Sequence, residues 1–252
     1  MALRTGNPTL KESTFASYRT SVSSQPAANT MSLDGTVHRT FFLLCLVVGS
    51  ASLVWTLAQT NPELAYPVVL GSSIASFITA IITVFKKEWS PITAPVYSVL
   101  EGLALGVLSS IFEAIYPGIV IQAFGLTFGI LFCLLAAYRS GLIKPTENFK
   151  LGVVAATGGI ALLYLGNFFM RLVFHSSIPF IHESGPYGII FSLIVVVIAA
   201  LNLVLDFDFI EQGVEYGAPK YMEWYAAFGL MVTLIWLYLE ILRLLAKLRS
   251  ND

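Results

Sequence analysis

Residues 189–213 read IIFSLIVVVIAALNLVLDFDFIEQG, and residues 228–249 read FGLMVTLIWLYLEILRLLAKLR. These two apolar runs carry acids where membrane segments rarely carry them: Asp206 and Asp208 late in the first run, and Glu240 inside the second. A carboxylate in the bilayer core costs about 2.5 kcal/mol or more, so each acid is a candidate functional residue. The alternative is that the acids lie at helix ends and contact water, which suits Asp208 better than Asp206 or Glu240.

The overall composition excludes an ordinary soluble domain. Of the 252 residues, 56% are hydrophobic and only 12% are charged, whereas soluble domains contain about 25% charged residues. The net charge of −1 provides no basic surface for a nucleic acid. Cys45 and Cys133 lie within apolar runs, so we expect them to be small core residues and not a disulfide or metal ligands.

Seven apolar runs have the roughly 20 residues that a spanning helix needs. They cover about 40–58, 66–85, 95–115, 119–138, 151–173, a sixth run from Tyr187 to a point between Asp206 and Gln212, and a seventh from between Tyr225 and Phe228 to Leu248. Proline and glycine punctuate the links between these runs. The pattern predicts an all-α polytopic domain over 40–252, preceded by a polar tail at 1–39 that we expect to be mobile and cytoplasmic.

The distribution of lysine and arginine favours a cytoplasmic amino terminus. With seven spans, ten of the 14 basic residues fall on the side of the tail and four fall on the opposite side. Three of those four, Arg243, Lys247 and Arg249, cluster at the carboxyl end. This cluster favours the inner side, which a six-span or re-entrant arrangement would satisfy.

Whether Asp206 and Glu240 meet depends on where their helices begin and end. At 1.5 Å per residue, a sixth helix from Tyr187 and a seventh from Tyr225 separate the two acids by about 20 Å in depth. A sixth helix that continues through Ile210 and a seventh that starts near Phe228 reduce the gap to about 9 Å. Two side chains and a water can bridge the shorter gap, and if the carboxyls meet in this way they share one proton and titrate as a unit. Calcium, which prefers oxygen ligands, can replace that proton, so both acids are candidate calcium ligands.

Other residues extend this candidate site. Asn202 lies one helical turn before Asp206 on the same face, and Glu101 lies about six residues into the third run. Lys86 and Lys87 end the second run on the predicted inner side, where one of them can form a closing ion pair, a latch, with Asp206. The alternative for both lysines is simple anchoring by the positive-inside rule.

Small residues and missing motifs add two further predictions. The four-residue spacings of Gly102 with Gly106 and of Gly125 with Gly129 favour close helix contacts. The chain lacks HExxH, GxSxG and Walker sequences. We therefore expect no enzymatic activity and no cofactor other than transiently bound calcium.

The motifs LDFDFIEQG at 205–213 and LYLEILRLL at 237–245 resemble those of the Bax inhibitor and YccA-like membrane family, and EGLALG at 101–106 also fits. The stretch APKYMEWY at 218–225 is similar to the bacterial branch. The resemblance implies seven helices in a bacterial inner membrane, with the last helix central and wrapped by the other six. It also implies a pH-sensitive calcium leak, with Asp206 and Glu240 as the sensor and Lys86 or Lys87 as the latch. This chain has Glu240 where the family commonly has aspartate.

A second hypothesis belongs to another functional class. The acids would then be structural, and the protein would bind a membrane protease or another membrane partner through its polar tail. Deletion of residues 1–36 would discriminate between the two hypotheses, since loss of partner binding with intact ion flux would favour the second. In both cases the lipid bilayer surrounds the domain, and no nucleic acid is involved.

Overall fold

The computed structural model describes residues 29–174 and 185–250. Within these ranges the chain forms seven long helices: α1 Leu33–Thr60, α2 Pro62–Phe85, α3 Ser90–Ile115, α4 Ile119–Arg139, α5 Glu147–Phe174, α6 Pro186–Glu215 and α7 Met222–Arg249. A short 3-10 turn, Lys87–Trp89, precedes α3. Each of the seven helices is long and apolar enough to cross a membrane. The prediction of a seven-span, all-α membrane protein is therefore confirmed.

Several helices extend beyond their apolar runs. Helix α1 begins at Leu33, seven residues ahead of its run, because the Ser32 hydroxyl accepts a hydrogen bond from the Gly35 amide and caps the first turn. Helix α6 continues to Glu215, and α7 begins at Met222, earlier than either predicted start. The last residues of the predicted tail are thus helical, and residues 1–28 of that tail lie outside the described part.

The residues just before α1 are attached to the link between α6 and α7. The Met31 amide donates to the Ala218 carbonyl at 2.6 Å, and the Lys220 amide donates to the Asn29 carbonyl at 3.0 Å. The link turns at Gly217, whose φ of 62° suits glycine. A deletion designed to test the tail as a docking element should therefore end before Asn29, not at residue 36, because a longer deletion removes part of the folded domain.

The described chain packs as two compact units. The first unit comprises residues 29–117 and 208–232, and the second comprises residues 118–174, 185–207 and 233–250. In the 18-residue apolar segment of α7, 61% is buried inside the protein, against 50% in the corresponding segment of α6 and 17–44% in those of the other five helices. The last helix therefore has the largest buried share of the seven.

Helices α1 and α3 pack closely in the first unit. A Cβ atom added to Gly102 would collide with Ser50 and with the Val47 carbonyl, and one added to Gly106 would collide with the Ala51 backbone. By contrast, among the described residues no atom outside the adjacent backbone of α4 lies within 4 Å of a Cβ placed at Gly125 or Gly129. The predicted small-residue contact is therefore present on α3 and absent at the corresponding glycines of α4.

The two cysteines are free, as expected, but both are exposed on the helical surface and are not core residues. The physical reason is that a lipid-facing surface is as apolar as a membrane-protein interior. An apolar run therefore indicates membrane insertion without indicating which of its residues face inward.

Candidate functional site

Glu240 is the centre of a polar cluster in the second unit. Its side chain lies in α7, and the residue is only 1% exposed. Four hydrogen bonds reach its carboxylate. The Tyr164 hydroxyl of α5 donates to Oε1 at 3.0 Å, Trp236 Nε1 donates to Oε1 at 3.3 Å, and Arg243 Nη1 donates to Oε1 at 2.8 Å and to Oε2 at 2.9 Å. Because Trp236 and Arg243 are four residues before and three residues after Glu240, one helical face presents all three.

Arg243 completes a ring of interactions with Tyr164. Its Nη1 donates to the Tyr164 hydroxyl at 2.9 Å, and its guanidinium carbon lies 5.5 Å from the centre of the Tyr164 ring. The Arg243 side chain is 35% exposed, whereas the side chain of its carboxylate partner is 2% exposed. From the sequence, Arg243 was interpreted only as a charge that bears on topology, although its three-residue spacing from Glu240 in an apolar helix is typical of an ion pair. Nothing in the sequence marked Tyr164.

Asp206 is fully enclosed, with an exposure of 0%, and belongs to the same unit. Asn202, one turn earlier on α6, donates from Nδ2 to the Thr157 hydroxyl of α5 at 2.8 Å and to its own helix at Ile198 O, also at 2.8 Å. Asn202 therefore joins α5 to α6 on the helix face that it shares with Asp206. Its amide nitrogen is used in these two hydrogen bonds.

The register between α6 and α7 can be read from Lys247, whose Nζ donates to the Gly188 carbonyl at 3.0 Å and to the Ser192 hydroxyl at 2.9 Å. Glu240 lies about 11 Å along α7 from Lys247, whereas Asp206 lies about 24 Å along α6 from this contact. The two acids are thus offset by about 13 Å in depth, between the two registers that the sequence left open.

At this offset the two carboxyls do not form a direct hydrogen bond. Among the described residues, the partners of Glu240 are Tyr164, Trp236 and Arg243, and Asp206 is not one of them. The joint role of the two acids as a sensor and as calcium ligands stays a prediction.

The remaining acids of the candidate site occupy the first unit. Asp208 is partly exposed and accepts a hydrogen bond from Gln212 Nε2 at 2.6 Å, one turn later on α6. Glu101 is partly buried on α3 and hydrogen-bonds to Ser76 of α2. Each acid thus has a polar neighbour in its own unit, and a supporting role for either in ion passage stays a prediction.

The two candidate latch lysines differ in their surroundings. Lys86 is exposed where α2 ends, whereas Lys87 is partly buried, with its ammonium 5.7 Å from the centre of the Tyr225 ring at the start of α7. Lys87 therefore contacts the first turn of the last helix. A lysine that only anchors the helix end at lipid headgroups does not need such a contact. The latch with Asp206 itself stays a prediction.

A third buried acid of the described residues, Glu223, was not anticipated. It lies in the first turn of α7 with 0% exposure. Its Oε1 accepts hydrogen bonds from the Ser32 amide at 3.0 Å and the Ser32 hydroxyl at 2.8 Å. Lys220 forms an ion pair with it at 2.9 Å, and Arg39 does so at 3.9 Å. Glu223 therefore joins the start of α1 to the start of α7 in the first unit. It lies in the stretch APKYMEWY, which resembles the family, but no apolar periodicity around it indicates burial.

The described residues contain no group of three or more histidine, cysteine, aspartate or glutamate side chains that could hold a metal ion. Calcium takes six to eight oxygen ligands. A calcium ion at Asp206 or Glu240 would therefore complete its shell with carbonyl, hydroxyl or water oxygens.

Comparison with known proteins gives one match. A family model described as Bax inhibitor 1 like matches residues 7–250. No curated protein matches the chain, and no solved structure matches it.

Proposed function

Because this chain belongs to the Bax inhibitor 1 like family, we propose that it is a cation leak protein that conducts calcium under the control of proton binding at Asp206 and Glu240. The proposed location is a bacterial inner membrane, with the amino terminus on the cytoplasmic side. The lysine and arginine distribution supports that orientation.

The burial of two carboxyls inside spanning helices is the observation that carries this proposal. Asp206 is 0% exposed and Glu240 is 1% exposed. Burial of an ionisable acid within a membrane protein costs free energy, so such an acid is by default associated with an ion pathway or a proton relay. Protons and calcium both bind carboxylate oxygens, so an ion passing either acid competes with protons. The conductance then depends on pH.

The surroundings of the two acids suggest how the site works. Glu240 is charge-compensated by Arg243 at 2.8 Å, and Asp206 lies about 13 Å away in depth. The two acids would serve as successive stations for a cation that moves along the bundle. Lys86 or Lys87 would hold the inner end closed until Asp206 is protonated.

Calcium flux into liposomes tests this proposal. The full chain is reconstituted, and calcium uptake is followed with an enclosed fluorescent indicator over a range of pH values. We expect uptake above that of empty liposomes, with a rate that changes with pH. In Glu240→Gln and in Asp206→Asn we expect the rate to fall by about tenfold, equivalent to about 1.4 kcal/mol in the barrier, and to lose its pH dependence.

Glu147→Gln is the matched control, because Glu147 is an exposed acid in the first turn of α5, in the same unit. This variant should keep the wild-type rate and pH profile. Wild-type liposomes that take up no more calcium than empty ones would refute the calcium leak. Flux that keeps its pH dependence in both acid variants would refute the sensor.

A further inference from the structure

The Glu240 carboxylate is already occupied by protein donors. Its Oε1 accepts from Tyr164, Trp236 and Arg243, and its Oε2 accepts from Arg243. A divalent cation needs carboxylate lone pairs directed at it and is repelled by a guanidinium 2.8 Å from the same oxygen. In this conformation a cation and Arg243 cannot both bind Glu240.

Arg243 differs from the other donors in charge and in freedom to move. It carries a permanent positive charge, and it is tethered to the same helix three residues from its partner. Its side chain is 35% exposed, whereas the Glu240 side chain is 2% exposed. A long, partly exposed side chain can leave the carboxylate without opening the helix bundle. Tyr164 and Trp236 are neutral and would remain as part of the site.

We propose that Arg243 is a tethered counter-ion that occupies the cation position at Glu240, and that a divalent cation binds there only after the Arg243 guanidinium has moved away. This inference rests on the proposed function, in which Glu240 is a cation station. It adds that the Arg243 guanidinium occupies Glu240 until a divalent cation competes for the carboxylate. Arg243 thereby sets how much divalent cation is needed for occupancy.

The consequence is a competition that can be measured. Removal of the Arg243 charge should tighten divalent cation binding at Glu240, whereas a lysine at the same position should largely preserve the wild-type affinity. Arg249 offers a matched control because it lies on the same helix and donates to Gln122 Oε1 at 3.0 Å, a neutral partner. Its replacement should leave cation binding unchanged.

Terbium luminescence supplies the binding assay, since terbium is a calcium-like probe that is excited by a nearby indole and Trp236 contacts Glu240. Terbium is titrated into the purified full chain in detergent, and calcium is then added to displace it. We expect Arg243→Gln to bind terbium about tenfold more tightly than wild type, a change of about 1.4 kcal/mol. The increase in terbium luminescence that Arg243→Gln produces should disappear when Glu240→Gln is added to it, and also when Trp236→Phe is added to it.

A second measurement needs no variant. An arginine-selective dicarbonyl reagent is applied to the wild-type protein with and without calcium, and the modified peptides are quantified by mass spectrometry. Calcium should increase the modification of Arg243, because the guanidinium leaves its carboxylate, while Arg249 should react equally in both conditions. Unchanged or decreased modification of Arg243 would overturn the inference.

The outcomes separate this inference from the proposed function. If wild-type liposomes conduct calcium but Arg243→Gln binds terbium no more tightly than wild type, the leak stands and the counter-ion role of Arg243 is refuted. If Arg243→Gln binds terbium more tightly but no form of the protein conducts calcium, the cation position at Glu240 stands and the leak is refuted. A terbium signal that survives the loss of Glu240 would place the ion elsewhere and overturn the inference.

Discussion

Glu223→Ala is expected to lower the midpoint of thermal unfolding in detergent by about 6–12 °C, at about 2–4 °C per kcal/mol for a chain of this size. The physical reason is that Glu223 is a buried charge with Ser32, Lys220 and Arg39 as its partners. Removal of one member of a buried ion pair costs about 3–5 kcal/mol. We expect the lower end of that range because the Lys220 side chain is 48% exposed and can be solvated.

Glu215→Ala is the control for this prediction, since Glu215 is an exposed acid at the end of α6. Its replacement should change the midpoint little, because exposed substitutions usually stay within about 0.5 kcal/mol. Glu223→Gln should lie between the two, because a glutamine oxygen can still accept from Ser32 without forming the ion pair. An unchanged midpoint in Glu223→Ala would mean that this attachment of α1 to α7 contributes nothing to stability.

Gly106→Val should destabilise the first unit by about 3 kcal/mol, the upper part of the range for overpacking. Even the first carbon of a side chain at this position would overlap the Ala51 backbone and the Val54 side chain. Backbone atoms cannot rotate away from such an overlap, so α1 and α3 must separate. Thermal unfolding in detergent measures the loss, and a reduced yield of folded protein is expected alongside it.

Gly129→Val on α4 tests whether the effect arises from the close helix contact and not from the loss of a glycine. In the described part of the chain, no atom outside the adjacent backbone of α4 lies within 4 Å of a Cβ placed at Gly129, so this variant should be neutral or slightly stabilising, because valine is a better helix former than glycine. Equal destabilisation by the two variants would contradict the packing described for α1 and α3.

The segments of the candidate site were predictable to different degrees. Asp206, Glu240 and Asn202 were selected from sequence because a polar residue in an apolar run is conspicuous, and the structure places all three in the interior. Helix ends were predicted less well, since the capping Ser32 and the polar turns that extend α6 and α7 have no hydrophobic signal. The cysteines were misplaced because lipid-facing and interior positions have the same apolar composition.

The sequence by itself determined that seven apolar helices span a membrane and that acids lie within the last two. These properties depend on segment length and on the free energy of transferring each residue into the bilayer, which are local. Only the tertiary structure decided that Tyr164 of α5 and Arg243 bind Glu240, that Ser32 binds Glu223, and that α3 packs against α1 at Gly106. Such partners are set by the rotation and register of one helix against another. Those in turn depend on contacts between residues far apart in the chain, such as Lys247 with Ser192, and no local pattern encodes them.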